Sequence, residues 1–350
     1  MTKSFVHLHA HTEYSMLDGA AKITDYLKKV KELNQPAAAI TDHGNLYGAL
    51  EFVRQADSLG IKPIIGYEAY VTPGSRFDRP DRDNNKRYHL TLLAENNIGY
   101  QNLVELVSKA YLEGFYYKPR VDYELLAEHS EGIIALSGCL GGEVAQHLAP
   151  DGSKEEGNIK NEKSYKKALE KAKNYQDIFG KDNFFIEIHN HGISQQVEIL
   201  DDLVNISKEL GAPLVAANDS HYVAQGDSSA HDALLCVQTN ATMEDEDRFK
   251  FDGEEYYVKS SDEMRKLFPN DKFPGACDNT LKIASRVAYD FDFNKDYLPD
   301  FPVEDESLSA EEYLRKKVLI GAEEKYQDIN SEIQERINYE LEVINSMGFA

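Results

Sequence analysis

Long apolar runs and paired cysteines are both scarce in this sequence of 350 residues. No segment is long and apolar enough to span a membrane as a helix, and the first five residues lack the apolar stretch of a signal peptide. The three cysteines, Cys139, Cys236 and Cys277, are widely separated, so we do not expect a disulfide framework. These absences are typical of a protein of the reducing cytoplasm.

Positive charge is also scarce, since the formal net charge is −23 at pH 7. A chain this acidic is not expected to coat nucleic acid with a broad surface. A small phosphate-binding site stays open, because bound divalent cations reverse the local electrostatic potential. Charge alone therefore decides little about the function.

Three common catalytic or nucleotide-binding motifs are missing as well. The sequence has no serine nucleophile elbow and no dinucleotide-binding fingerprint. The glycine-rich stretch SGCLGG at 137–142 lacks the lysine and the spacing of a phosphate-binding P-loop. The chemistry of this chain is therefore expected to rest on other residues.

Short apolar runs alternate with amphipathic, helix-like stretches over most of the chain. Seven runs predict strands at 5–8, 37–41, 63–71, 88–93, 132–136, 184–188 and 213–217. The clearest stretches between them predict helices at 23–33, 46–59, 101–111, 165–179 and 196–210. Three helices are followed by Gly60, Gly180 or Gly211, as helix C-termini often are. Such repeats predict βα units around a parallel sheet, and seven units favour a (β/α) barrel.

The pattern changes near residue 286. Residues 289–309 are acidic, contain prolines and show little regular periodicity, so we interpret them as a linker. Two helical patterns follow at 310–326 and 329–347, and the sequence ends soon afterwards. We therefore expect a large α/β domain at residues 1–285, a linker with helices at 286–350, and a longer parent protein.

Residues with metal-binding side chains gather at the predicted carboxyl ends of the strands, where the active sites of (β/α) barrels lie. The residues at these ends are His9, His11, Asp42, His43, Glu68, Cys139, His189, His191, Asp219 and His221. His89 is the exception, because it lies at the start of its predicted strand. A pattern this regular indicates a shared site at one end of the barrel.

Two strand ends are expected to supply pairs of ligands, because residues i and i+2 of a strand face the same side. His9 with His11, and Asp219 with His221, have this spacing. The nitrogen, oxygen and sulfur donors suit Zn²⁺, Mn²⁺ or Fe²⁺, and they outnumber the ligands of one tetrahedral ion. We therefore expect a cluster of two or three ions. Such clusters bind a phosphoryl group and activate water, so the pattern favours phosphoester hydrolysis.

Several of these residues also have an ordinary structural interpretation. Cys139 resembles a small buried hydrophobic residue, and Glu68 has the position of a carboxylate that pairs with a lysine. His89 has the position of a core histidine, and Asp18, before a glycine, is typical of a turn. On local context alone, both interpretations of each residue stay open.

Two further groups of polar residues lie away from the strand ends. Lys118 and Arg120 in YYKPR stand beside two tyrosines, which fits either contacts to phosphate and bases or an ordinary surface loop. The second group, which we interpret as surface or packing residues, contains His129, His147 and His231.

Six motifs, taken in order along the chain, resemble a known family. They are HLHAHTEYSMLDG, ITDHGNLYGALEF, PIIGYEAYV, YHLTLLAENNIGYQNLVELVSKAYLEGFYYKPRVD, LSGCLGGEV and NDSHYV. Together they resemble the polymerase and histidinol phosphatase (PHP) domain in the N-terminal part of bacterial replicative DNA polymerase III alpha subunits. The stretch from YLPDFPV to RINYELEVINSMGFA resembles the segment that leads into the polymerase palm, so the resemblance covers almost the whole chain.

The resemblance implies a distorted (β/α)7 barrel with a metal site of nine ligands. The implied ligands are His9, His11, Asp18, His43, Glu68, His89, Cys139, Asp219 and His221. It thereby favours ligand roles for Asp18 and His89 over their structural interpretations. We expect catalysis to depend most directly on His11, Asp219 and His221. Candidates for supporting the ligands or contacting the substrate are His7, Asp42, His189, His191, Lys118 and Arg120.

The activity that the resemblance implies is a metal-dependent 3′–5′ exonuclease that proofreads DNA. Its implied cofactors are two or three Zn²⁺, Mn²⁺ or Fe²⁺ ions, and its implied partners are the primer 3′ end and other subunits of the polymerase holoenzyme. DNA synthesis is not expected here, because the family's palm lies beyond Ala350. One alternative is a metal-stabilised structural module that braces the polymerase without turnover. A stand-alone small-molecule phosphatase is disfavoured by the polymerase-type motif at 96–120.

Overall fold

The computed structural model describes residues 4–16, 18–81, 84–149, 162–291, 301–305 and 307–350. The chain divides into two compact units, Met1–Asp290 and Phe291–Ala350. The domain assignments made from the sequence stay predictions. Part of the predicted linker, residues 292–300 and 306, lies outside the described residues.

The first unit is a mixed α/β structure. Its described strands are β1 (Ala37–Ile40), β2 (Lys62–Val71), β3 (Tyr88–Ala94), β4 (Arg120–Val121), β5 (Ile133–Leu136), β6 (Phe184–Ile188) and β7 (Leu214–Ala216). Its described α-helices are α1 (Ile23–Glu32), α2 (Ala49–Leu59), α3 (Asn97–Leu112), α4 (Tyr123–Glu128), α5 (Glu143–Leu148), α6 (Glu162–Phe179), α7 (Ser194–Leu210), α8 (Ser228–Thr239), α9 (Ser261–Leu267) and α10 (Ala276–Arg286). Strands and helices alternate as the sequence predicts, except between β2 and β3, where the described residues contain no α-helix.

The strands form one curled sheet in the order β1-β2-β3-β5-β6-β7, and β4 pairs with β2. All pairs are parallel except β2 with β3 and β3 with β5, which are antiparallel. The expectation of a purely parallel sheet is therefore wrong at β3. Parallel neighbours need a crossover connection, which is usually a helix, whereas the described part of 72–87 contains no α-helix. After residues 72–87, β3 therefore runs alongside β2 in the opposite direction.

The first predicted strand, residues 5–8, does not form a strand in the structure. Residues 7–11 nevertheless connect the two ends of the curled sheet. On one side Ala39 N donates to His7 O at 3.0 Å, beside β1. On the other side His11 N donates to Ser220 O at 2.8 Å, just after β7. These contacts bring the ends of the sheet together, which agrees with the predicted distorted barrel.

An apolar layer fills the interior of this barrel. It contains Ile64 of β2, Leu93 of β3 and Phe185 of β6, all buried in one cluster. Because side chains alternate along a strand, residues an even number of positions away point to the same side. Glu68 and Glu187 therefore lie on the same faces of β2 and β6 as this apolar layer, closer to the carboxyl ends of the two strands.

The predicted helix stops are confirmed. Gly60 and Gly211 are the C-caps of α2 and α7, with φ of 67° and 63°. Gly180 follows the last residue of α6 with φ of 87°. Left-handed backbone of this kind suits glycine, which has no Cβ to clash.

The second unit contains two helices among its described residues, α11 (Ala310–Lys325) and α12 (Ser331–Ser346). Ser309 caps α11 by accepting from Glu312 N, and Asn330 caps α12 by accepting from Ile333 N. Both helices match the predicted stretches to within two residues. Within the described parts of the chain, no helix has both the length and the apolar character that crossing a membrane requires.

Candidate metal centre

Glu68 lies at the centre of a group of side chains at one rim of the barrel. Its carboxylate is 1% exposed. Its Oε1 is 3.0 Å from His89 Nδ1 and 3.4 Å from His9 Nε2, and its Oε2 is 2.6 Å from His43 Nδ1 and 3.5 Å from His11 Nε2. The structure thus brings four of the predicted histidine ligands around one buried carboxylate.

Cys139 joins the same group from the loop after β5. Its Sγ is 3.7 Å from both Glu68 Oε1 and His89 Nδ1. Burial raises the pKa of the Cys139 thiol well above its usual value, and the carboxylates of Glu68 and Asp219 raise it further. A thiolate at this position therefore requires a nearby cation to offset those negative charges.

Asp219 is the second carboxylate that joins several histidines. Its Oδ1 is 3.1 Å from His11 Nε2, 3.3 Å from His9 Nε2 and 3.6 Å from His221 Nδ1. Its backbone has φ of 43°, in the left-handed region, where aspartate is tolerated better than most residues. Backbone strain of this kind is found where the surrounding structure needs a side chain in one position.

Asp18 approaches the group from the turn that follows His11. Its Oδ2 is 3.1 Å from His43 Nε2. The neighbouring Gly19 is required by close packing, because an added Cβ would lie 2.0 Å from the carbonyl oxygen of Thr12. The LDG motif therefore combines a candidate ligand with the one residue type that lets this turn close.

Three histidines present the same ring nitrogen to the centre. His9 Nδ1 is 2.7 Å from Glu187, His11 Nδ1 is 2.8 Å from Ser15 Oγ, and His221 Nδ1 is 2.8 Å from the carbonyl oxygen of Asp219. Because Nδ1 contacts an oxygen in each case, Nε2 is the nitrogen that faces the centre and that can bind a cation once it carries no proton. This is the arrangement that holds a ligating histidine in one tautomer.

Several buried atoms at this rim make no hydrogen bond. They are His9 Nε2, His11 Nε2, Asp18 Oδ1, His43 Nδ1, Glu68 Oε2, Asp219 Oδ1 and His221 Nε2. The contact of 2.6 Å between His43 and Glu68 lacks hydrogen-bond geometry and so satisfies neither atom. Each unsatisfied buried polar atom costs about 1–3 kcal/mol. A cluster of seven such atoms therefore indicates that this rim binds a ligand shared among several of them.

The separations between these atoms fit divalent cations as that ligand. Atoms that coordinate one ion at about 2.0–2.2 Å lie about 3.0–3.6 Å from each other. Among the described residues, three overlapping groups of proposed ligands have ligand atoms close enough to share an ion: His11, Asp18, His43 and His221; His9, His11 and Asp219; and His43, Glu68 and His89. A fourth group with this spacing, His9, Glu187 and His189, contains one proposed ligand and two residues outside the proposed set. The residues present therefore fit the metal chemistry that the sequence predicts.

Electrostatic coupling between these groups shifts their pKa values strongly. Burial lowers the pKa of His9 and of His43, but neighbouring carboxylates outweigh burial and raise both well above the usual value. Burial raises the pKa of Glu68 and of Asp219, but the surrounding histidines lower both well below the usual value. His11 differs, because burial and the nearby His43 and His221 lower its pKa to about 3.

Glu187 is a site residue that the sequence reasoning missed. It is fully buried in β6 and accepts from His9 at 2.7 Å, from His189 Nε2 at 2.9 Å and from Gly138 N at 3.0 Å. Gly138 precedes Cys139, so this carboxylate connects two candidate ligands. A signal was present, since Glu187 is the one charged residue in the apolar run FFIEI and its burial requires a partner.

The other predicted supporting residues occupy different places. His7 Nε2 is 2.9 Å from the carbonyl oxygen of Lys259, and His191 Nε2 is 2.9 Å from that of Asn218. Asp42 accepts from Thr12 N at 2.6 Å and thereby holds the loop after His11. Burial raises the pKa of Asp42 to about 6, although hydrogen bonds from Thr12 partly oppose this.

Lys118 and Arg120 are separated by the structure, although they are two positions apart in sequence. Lys118 lines the cavity in front of the candidate ligands, with its ammonium 5.4 Å from the centre of the Tyr70 ring. Arg120 is fully buried and donates to the backbone carbonyls of Gly114, Arg76 and Asp78. Its contacts are those of a structural residue, and it does not line the cavity.

The cavity in front of the metal-binding side chains has a volume of about 990 Å³. Its walls include six of the nine candidate ligands: Asp18, His43, His89, Cys139, Asp219 and His221. Three cations, Arg87, Lys118 and Lys250, also line it. The cavity can therefore admit an anionic ligand to the candidate metal centre.

Comparison with known protein families agrees with this geometry. The model of the PHP domain matches residues 7–191. This chain belongs to the PHP domain family. The match begins at His7 and covers β1 to β6, and thus seven of the nine candidate ligands.

Relatives of this PHP chain include bacterial proteins named DNA polymerase III subunit alpha. The proteins from Treponema pallidum and Mycobacterium tuberculosis are 45% and 46% identical to it over 99% of this chain. The protein from Thermus aquaticus is 45% identical over 93% of this chain. The chain spans between a quarter and a third of the length of these relatives, namely 28%, 30% and 26%. The resemblance read from the motifs is confirmed.

One solved structure similar to this chain is a Bacteroides vulgatus two-domain protein described as containing a predicted PHP-like metal-dependent phosphoesterase. It is 12% identical, and the alignment covers 81% of this chain and 69% of that chain. Its TM-score is 0.38, which is too low to support an argument about chemistry.

Proposed function

We propose that this chain is the PHP part of a DNA polymerase III alpha subunit and that it hydrolyses DNA from the 3′ end. The observation that carries this proposal is the cluster of buried, unsatisfied histidine and carboxylate atoms at the base of an open cavity. The similarity to DNA polymerase III alpha subunits, which extends over nearly the whole chain, supports DNA as the substrate.

The proposed ligands are the nine residues that the family resemblance implies. Divalent cations bound there would supply Lewis-acid stabilisation of a phosphoryl group and a more acidic water. The nitrogen and oxygen donors, with one sulfur, suit Zn²⁺, Mn²⁺ or Fe²⁺. Within this set we assign the most direct catalytic contribution to His11, Asp219 and His221.

The protein's own part in the reaction is to hold these groups in one arrangement. Glu187 and Ser15 orient the rings of His9 and His11 through Nδ1. The carbonyl oxygen of Asp219 does the same for His221. Because all three contacts are buried, the site is organised before substrate binds, as electrostatic catalysis requires.

The experiment that tests the proposal combines metal analysis with a DNA digestion assay. Purified protein should hold two or three Zn²⁺ or Mn²⁺ ions and shorten single-stranded DNA from its 3′ end. Asp219→Asn should abolish the shortening. The matched control is Asp177→Asn, since Asp177 pairs with Lys173 on α6 and does not line the cavity, so it should leave activity unchanged. Metal-loaded protein that leaves every DNA intact would overturn the proposal.

A second candidate function is structural, and the buried charges favour it. Glu68 and Asp219 are deeply buried among histidines, and buried charges are costly unless they are paired or bound to metal. Ions at this rim would therefore stabilise the barrel whether or not substrate turns over. Ligand variants that lower the melting temperature of a wild type without nuclease activity would favour this function.

The partners of this chain are also a proposal. We propose that the chain acts with the primer 3′ end and with other subunits of the polymerase holoenzyme. A small-molecule phosphatase is the weaker alternative, since the relatives similar over nearly the whole chain are polymerase subunits. Hydrolysis of phosphomonoesters without hydrolysis of DNA would favour the phosphatase.

A further inference from the structure

An exposed aromatic ring in the cavity wall takes no part in the candidate metal centre. Phe249 lines the cavity and is 54% exposed. One exposed phenylalanine is ordinary on a protein surface. Its position beside the candidate ligands, and the contacts that fix it there, make this ring different.

A series of ring contacts connects Phe249 to the metal-binding side chains. The ring of Phe251 packs against His221 with centroids 4.7 Å apart and planes at 73°. Phe249 packs against Phe251 with centroids 5.9 Å apart and planes at 83°. Tyr256 supports Phe251 from a third side, at 4.7 Å. Edge-to-face packing of this kind holds Phe249 two ring contacts away from His221, while 54% of the residue stays exposed.

Cations surround the same cavity. Arg87, Lys118 and Lys250 line it together with one carboxylate outside the proposed ligands, Asp252, and the described residues show no ion pair to any of the three cations. Lys118 lies over the ring of Tyr70, which in turn stacks on His43 with centroids 5.7 Å apart. In a chain with a net charge of −23, three such cations around one opening indicate an anionic ligand.

We infer that Phe249 is the stacking surface for the base of the terminal nucleotide, while Arg87, Lys118 and Lys250 contact its phosphates. This inference rests on the proposed function and identifies the residues that select a nucleotide over other phosphoesters. Aromatic rings beside cations are how proteins bind single-stranded nucleic acid, because every base has a face that can stack. An unpaired 3′ end can leave the duplex and place its base on this ring, so we expect the site to favour a frayed or single-stranded 3′ end over a paired one.

Fluorescence tests the stacking directly, because the sequence contains no tryptophan. Phe249→Trp introduces a single reporter ring at the proposed surface. The probes are two short single-stranded DNA oligonucleotides with a phosphorothioate terminal linkage, one ending in a 3′ base and one in an abasic residue. The base-ended probe should quench the fluorescence more strongly. The control is Phe115→Trp, since Phe115 is 51% exposed but does not line the cavity, and there the two probes should not differ.

Kinetics provides the second readout. Phe249→Ala should raise KM for base-ended DNA about ten-fold with little change in kcat, and should remove the preference over the abasic end. Phe249→Tyr should keep that preference. Equal quenching by both probes, or an unchanged preference in Phe249→Ala, would overturn the inference. Selective quenching in a protein that hydrolyses no DNA would support the stacking site while rejecting the proposed function.

Discussion

His89 lies opposite Tyr70 in the antiparallel pair of β3 and β2. This register places the first residues of β3 beside the last residues of β2, so His89 Nδ1 lies 3.0 Å from Glu68 Oε1. His89 therefore lies near the start of its own strand and is still at the rim where the parallel strands end. Because β3 runs antiparallel to β2, His89 reaches the site from the start of its strand, whereas most of the other candidate ligands lie at strand ends.

Glu187 gives the first prediction. Glu187→Gln should lower metal affinity by about 10- to 100-fold, because the neutral amide no longer holds His9 and His189 through charge-assisted hydrogen bonds. Isothermal titration calorimetry with the metal ion measures this change in affinity. The control is Glu143→Gln, since Glu143 is an equally buried glutamate bound to Tyr175 and Lys171 outside the site. Equal metal affinity in both variants would contradict the role given to Glu187.

The second prediction concerns pH. His9 and His43 have pKa values raised well above 6.5, so in metal-free protein their charged pairs stabilise the fold below that pH and are lost as pH rises through the folded values. A metal ion must displace these protons. Metal binding should therefore release protons and strengthen as pH rises from 6 to 8. Calorimetry in buffers of different ionisation enthalpy counts the protons, and pH-independent affinity would contradict the expected coupling.

Gly19 supplies the third prediction. Gly19→Ala should destabilise the protein by about 1–3 kcal/mol, because the new Cβ would meet the Thr12 carbonyl at 2.0 Å and displace the turn that carries Asp18. Denaturant unfolding and metal content should both report the change. Gly226→Ala is the control, because nothing lies within 4 Å of its added Cβ. A Gly19→Ala protein as stable as this control would show that the turn has room to adjust.

Lys118 and Arg120 provide the fourth prediction. Arg120→Ala should lower the free energy of unfolding by about 2 kcal/mol or more, since three backbone carbonyls lose their donor. Lys118→Ala should leave the melting temperature almost unchanged and raise KM for DNA. Thermal melts and steady-state kinetics on the two variants distinguish these effects. Similar stability losses in both variants would contradict the assignment.

Much of this arrangement could be predicted from the sequence, because apolar runs and their polar ends are local features. The strand ends that carry Glu68, Cys139 and Asp219 follow from that pattern. The direction of β3 could not be predicted, since it depends on a connection without a crossover helix. The different positions of Lys118 and Arg120 also depend on long-range packing, because neither periodicity nor charge distinguishes them.

Glu187 shows a second limit of prediction from the sequence. Its burial follows from the apolar residues around it, yet its partner His9 is distant in sequence, so the contact is a property of the closed barrel. The nine candidate ligands themselves were chosen by resemblance to a family, which the match at residues 7–191 supports. Their roles as ligands stay predictions.

Anomalous X-ray diffraction from crystals grown with Mn²⁺ tests the central claim most directly. We predict two or three anomalous peaks at the rim, each within about 2.4 Å of atoms from His9, Glu68, Asp219 and their neighbours. A fully occupied crystal form with no peak in this cavity, although Mn²⁺ binds elsewhere on the protein, would contradict the account.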